Sequence, residues 1–282
     1  MNSINSITNT KIGFGTYKII DENQMLTAII AASKNKYDFI DTAVVYENEH
    51  LVGNAIEHLR KNNMFIPIIQ SKLWVTQYEL DIIEEVKKSI EKLKVKAIDC
   101  YLLHRPHVDM TVNVKAWKGL IKAQKMGLIK EIGVSNFDRD QIELLYNETN
   151  VYPICNQIEC SVTYYRPDRM FYNKQKNISI QGWRPMGDLN QTLNSSLINK
   201  MAKKYKVTKS QLLVSFTKTS GAIPIIKSVN PDRIKENKKM IKISNSDFEI
   251  LEKKLNTHTP TTTYHNDSFA NLSLNNNWYK TH

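Results

Sequence analysis

The chain predicts an α/β fold of the (β/α)8 TIM-barrel class, a single domain with a C-terminal cover segment. Its 282 residues suit one barrel of this kind. Eight short β-forming runs recur along it, and between them lie stretches with apolar residues at helical spacing. That alternation is how βα units build a parallel sheet, and eight of them favour a closed barrel over an open sheet.

Taken in order, the first strand is expected at Gly13 to Tyr17 and the second at Phe39 to Thr42. A helical face of Leu51, Val52, Ala55, Ile56 and Leu59 leads to a third strand, Pro67 to Lys72. Ile83, Val86, Ile90 and Leu93 mark the next helix, before a fourth strand at Ala97 to His104. Strands five to eight are expected at Ile129 to Val134, Ile154 to Ile158, Ile178 to Gly182 and Ile223 to Lys227. Thr208 to Thr219 and Ser246 to Leu255 read as helices. Thr257 to Asn277 is rich in Thr and Asn and has no clear period, so within a single domain spanning 1–282 residues 257–282 are expected to form a C-terminal tail, either an extended cover segment or a partly mobile one.

Composition narrows the function classes. The net charge is +11, but the lysines are spread between apolar positions and form no dense tract, so solvated helix faces are expected and a nucleic-acid partner is not. A general positive field still favours anionic small molecules. Cys100, Cys155 and Cys160 fit neither a disulfide framework nor a metal-ligand spacing, so reduced thiols and no metal are expected. The opening MNSINSITNTK lacks the apolar core of a signal peptide, and no apolar run reaches the roughly 20 residues of a membrane span. A cytoplasmic protein with no membrane partner, monomeric or weakly self-associating, is the expectation.

In such barrels chemistry sits at the C-terminal ends of the strands. Asp41, Lys72 and His104 each close an expected strand, and Tyr46 lies in the loop after Asp41. All four can converge on one mouth. The strings DTAVVYENEHLVGNAI, SKLW, IDCYLLHRP, GVSNF, NQIE and IPIIKSVNPDRIKEN, in this order and at these intervals, resemble the aldo-keto reductase family across nearly the whole chain. The resemblance implies reduction of an aldehyde or ketone by NADPH, with Asp41, Tyr46, Lys72 and His104 as the catalytic tetrad. Those residue types suit the task. Hydride delivery to a carbonyl carbon leaves an alkoxide, which needs a proton donor and positive potential beside it. Tyr46 would be the donor, with the Lys72 ammonium lowering its pKa, Asp41 holding Lys72 charged, and His104 orienting the carbonyl or helping to relay the proton.

The coenzyme leaves a second set of signals. Lys227 ends the last strand, Ser228 follows, and Asn230-Pro231 reads as an N-cap with proline in the first helical turn, a junction suited to phosphate. By resemblance Lys227, Ser228, Arg233 and Asn237 hold the adenosine 2′-phosphate and adenine, and a guanidinium grip on phosphate favours NADPH over NADH. Ser135, Asn136 and Gln157 match the family residues that bond the nicotinamide carboxamide. Trp183 falls where an aromatic ring meets the nicotinamide face, with Arg184 beside it. No Gly-x-Gly-x-x-Gly string is present, which disfavours a Rossmann dehydrogenase.

Tyr17, Trp74 and Arg105 are expected to line the site for a small carbonyl substrate. Arg105 stands where the family often has tryptophan, Arg184 where serine is common, and Cys160-Ser161-Val162 where an aromatic-His-Pro sequence is usual. The stretch before Lys11 is short for the bottom hairpin of many relatives. Arg105 can face the mouth or turn outward to a loop carboxylate such as Asp109. Competing readings are an NADPH-binding sensor of the same fold with slow turnover, and a phosphate-metabolising barrel such as an isomerase. The isomerase reading explains Arg233 but not the Asp/Tyr/Lys/His set.

Overall fold

The structure, a computed structural model, describes residues 6–256. Eight parallel strands close into one barrel in chain order: β1 Gly13–Gly15, β2 Phe39–Asp41, β3 Ile68–Leu73, β4 Ile98–Leu103, β5 Ile129–Ser135, β6 Cys155–Glu159, β7 Ser179–Trp183 and β8 Ile223–Ile226. β1 pairs with β8 to complete the ring. Around it run α1 Glu22–Lys34, α2 Glu49–Lys61, α3 Ile82–Leu93, α4 Met110–Lys125, α5 Arg139–Thr149 and α6 Pro167–Gln175. After β7 come α7 Leu189–Asn194, α8 Ser196–Tyr205 and α9 Lys209–Thr219; after β8, α10 Pro231–Asn237 and α11 Asn245–Leu255.

Most of the helices begin where a side chain offers an oxygen to their free N–H groups, α2 and α6 being exceptions. Asp21, Asp81, Asp109, Thr208, Asn230 and Ser244 each cap the helix that follows. The eight expected strands are all present, with ends shifted by one or two residues. The expected Gly13 to Tyr17 strand stops at Gly15, because Lys18 turns into the left-handed region at φ 59°. The tail expected over 257–282 lies outside the described residues.

Side chains alternate in and out along each strand, so the barrel interior is stacked in layers. The lower layer is apolar: Phe39, Cys100, Leu102, Cys155, Ile223 and Ile225 pack as one buried cluster. Gly13 is required there, since a Cβ would run into the Phe39 ring. Among the described residues the N-terminal segment forms a single 3-10 turn, Ile7–Asn9, in place of a hairpin. Fully buried Ile7 joins the lower cluster, and its N–H donates to Glu131 Oε2 at 2.8 Å. Above that floor the inward side chains become polar.

Candidate active site

Strand register delivers the polar layer to one end. Asp41 is the last residue of β2, Lys72 the last but one of β3, and His104 follows β4 directly, its N–H still donating to Leu73 O. Tyr46 sits on a 3-10 turn, Val44–Tyr46, which Glu47 ends in the left-handed region at φ 57°. Asn48 fixes that turn. Its amide donates to Thr16 O at 2.9 Å and Ile19 O at 3.0 Å, and its Oδ1 accepts from Thr42 Oγ1 at 2.9 Å. The loops after β1 and β2 are thereby tied together, which brings the Tyr17 and Tyr46 rings to 5.0 Å.

Lys72 is fully buried, and its ammonium makes three bonds: to Asp41 Oδ2 at 2.8 Å, Thr42 O at 2.9 Å and the Tyr46 hydroxyl at 3.3 Å. Burial lowers the Lys72 pKa, while the charge and hydrogen bond of Asp41 raise it. The His104 ring stands 5.6 Å from Tyr46 and 5.0 Å from Trp74. Burial, then the charges of Lys72 and Arg105, hold the imidazole well below its usual pKa, so it is neutral at pH 7.

Tyr46 departs from expectation. Lys72 was expected to lower the phenol's pKa; burial instead pushes it well above its usual value, and the charges of Asp41 and Tyr17 add to the rise. Desolvation is the main cause, and the ion pair adds to it. Asp41 lies at bonding distance from the ammonium and offsets its field at the phenol. Tyr46 therefore keeps its proton at neutral pH.

The side chains expected around a nicotinamide are bonded to one another. Trp183 Nε1 donates to Asn136 Oδ1 at 3.1 Å, Asn136 Nδ2 to His104 O at 3.1 Å and Ser135 Oγ at 2.9 Å, and Ser135 Oγ to Gln157 O at 2.8 Å. Asn136 is left-handed at φ 62°, a conformation asparagine tolerates. The amide of Gln157 donates to Asp41 Oδ1 and to Gln181 Oε1, both at 2.9 Å. Only its Oε1 remains for a ligand.

Arg184 is half exposed and pairs with Glu159 at 3.6 Å. Lys227 and Arg233 are exposed at the turn into α10, and Ser228 Oγ accepts from Asn230 N–H at 3.1 Å. Asn237 is buried, with no partner for its Oδ1 among the described residues. Arg105 does not turn outward. It is 2% exposed, with its guanidinium carbon 5.6 Å from the Trp74 ring centroid, whereas Asp109 is occupied capping α4 through Thr111. Sequence reading missed Asn48, Gln70 and Gln181. Asn48 stood within a quoted motif; the two glutamines signal themselves only as polar residues at inward positions of expected strands.

A buried ammonium bonded to both a carboxylate and a phenol, beside an imidazole, thus lies at the C-terminal mouth of a (β/α)8 barrel. The Aldo/keto reductase family profile matches residues 11–256, and the chain belongs to that family. It is accordingly an NADP-dependent oxidoreductase acting on carbonyl compounds. The chain is 35% identical over 228 residues to methylglyoxal reductase DkgA of Escherichia coli K12, a match covering 80% of this chain and 82% of the relative. It is 32% identical to aldehyde reductase YPR1 of Saccharomyces cerevisiae, over 88% of each chain. A Bombyx mori aldo-keto reductase solved in complex with NADP superposes with a TM-score of 0.80 at 26% identity, covering 86% of this chain and 88% of that one.

Proposed function

We propose that this chain reduces a small aldehyde or ketone to its alcohol with NADPH, and that Tyr46 is the general acid. One observation carries the reading: Lys72 bonds Asp41 and the Tyr46 hydroxyl at once, and the neutral His104 ring lies beside that phenol. NADPH, when bound, supplies hydride to the carbonyl carbon. Tyr46 gives its proton to the carbonyl oxygen as negative charge develops there. The Lys72 ammonium stabilises the resulting phenolate, and a neutral His104 N–H can orient the substrate oxygen without competing for the proton.

The residues present suit the coenzyme. Asn237 Oδ1 is a buried acceptor awaiting a donor such as an adenine amino group, and exposed Lys227 and Arg233 offer cations to a 2′-phosphate. The Trp183 ring is held by Asn136 at the end of β7, ready to pack on a flat heterocycle. Arg105, buried beside Trp74, adds positive potential at the substrate end and favours carbonyl compounds that carry an anionic group. Relatives named for methylglyoxal and aldehyde reduction agree with a small carbonyl substrate.

The test is Tyr46→Phe, which keeps the ring and removes the donor. Turnover of an aldehyde should fall at least about a hundredfold while NADPH binding stays near wild type. Wild-type turnover in the variant would refute the assignment. A wild type that binds NADPH but does not oxidise it against a panel of aldehydes would favour a sensor of the same fold.

A further inference from the structure

Barrel interiors are ordinarily filled by Val, Ile and Leu, yet the layer beneath Asp41 holds three glutamines. Gln70 Nε2 donates to Asp41 Oδ1 at 2.7 Å and to Gln181 Oε1 at 2.8 Å. Gln157 Nε2 donates to the same two oxygens, and Gln181 Nε2 returns a bond to Gln70 Oε1 at 2.8 Å and reaches Cys155 Sγ at 3.7 Å. Both lone-pair directions of Gln181 Oε1 are thus used, as are both amide hydrogens of Gln70 and of Gln157. Gln70 and Gln181 are fully buried and come from strands on opposite sides of the barrel, β3 and β7.

We propose that Gln70 and Gln181 are positioning residues for the reaction: with Gln157 they form an amide network that aims Asp41, so that its second oxygen holds Lys72 against Tyr46. The inference rests on the tetrad reading given under Proposed function. Only one orientation of the amides works. Flipping Gln70 would set its Oε1 against the Asp41 carboxylate and against Gln181 Oε1, two repulsive contacts where there are now two bonds. Packing alone gives no reason for the arrangement, because apolar side chains fill a barrel without the desolvation cost of buried amides. Pinning Asp41 Oδ1 from two sides leaves Oδ2 for Lys72, and that bond faces the phenol.

The readout is the alkaline limb of the kcat profile. Lys72 is faced by Asp41 from β2, Tyr46 from the turn after it, Cys100 and His104 from β4 and its end, and Cys155 from β6. Tyr46 and Cys100 are pushed well up by burial, and His104 is already neutral, so loss of the Lys72 proton sets that limb. Asp41 holds the Lys72 proton on against burial. Loosening Asp41 therefore moves the limb to lower pH.

Gln70→Met and Gln181→Met keep the volume and remove the amides. Each is expected to fold, to keep the wild-type KM for NADPH and the wild-type quenching of tryptophan fluorescence by NADPH, and to lose roughly ten- to a hundredfold in kcat. In both the alkaline limb moves to lower pH, and the double variant is no slower than the worse single one, since the network acts as a unit. Tyr46→Phe runs in parallel. If it retains wild-type turnover, the tetrad reading falls. If it is inactive while both methionine variants keep kcat and the alkaline limb, only the present inference falls. A lowered Tm with unchanged kcat and limb, or failure of both variants to fold, makes the network structural and overturns the proposal.

Discussion

At His104 burial and two neighbouring cations act in one direction, and the consequence reaches beyond catalysis. The unfolded chain takes up a proton near pH 6.5, while the folded imidazole resists until its depressed pKa is reached. That contribution to stability is complete above about pH 6.5 and is lost as pH falls toward the folded value, at about 1.4 kcal/mol per pH unit. Urea unfolding at pH 7.5 and 5.5 should show a larger acid loss in wild type than in His104→Gln. Equal losses would mean that the folded imidazole is charged. Chemistry-bearing residues were legible at this scale because strand-end polar residues stand out from apolar runs, as with Asp41, Lys72 and His104. The direction of the Tyr46 shift was not. It depends on how far a phenol is desolvated and on where Asp41 sits relative to Lys72, which are distances between elements.

Among the elements, α2 and α3 show how packing overrides propensity. Gly53 lies inside α2, where alanine would favour the helix by about 1 kcal/mol. A methyl there would strike the carbonyl oxygen of Lys92 and the backbone of Leu93 at the end of α3. Backbone cannot step aside as a flexible side chain can, and overpacking of this kind costs about 1–3 kcal/mol. Gly53→Ala is therefore expected to lower the unfolding free energy by about 1–2 kcal/mol in urea, against its helix propensity. A stabilised variant would show that the two helices can part. Strand identities were readable from short β-forming runs between helical stretches, whereas the 3-10 turn that carries Tyr46 was not. Its geometry depends on Asn48 reaching back to the loop after β1, a contact across 32 residues to Thr16.

The whole molecule divides into a floor and a mouth. Ile7 closes the floor, fully buried against side chains from β2, β4, β6 and β8, while the polar layer lies at the far ends of the strands. Ile7→Ala removes methyl groups from a closed site and should cost about 2–5 kcal/mol of stability. Below the variant's melting transition its kcat should match wild type, because the bottom of a barrel serves stability and the top serves chemistry. A lowered kcat in the folded variant would show that the two ends are coupled.

The sequence by itself determined the eight strands, the helices between them, the family and the identity of the strand-end residues, because periodicity and spacing are local properties of the chain. Only the tertiary structure decided how those residues meet. It turned Arg105 inward beside Trp74, committed both amide hydrogens of Gln157, and joined Gln70 of β3 to Gln181 of β7 beneath Asp41. Closing the barrel brings together residues 111 apart in the chain, and no local pattern encodes which inward side chains then share a layer.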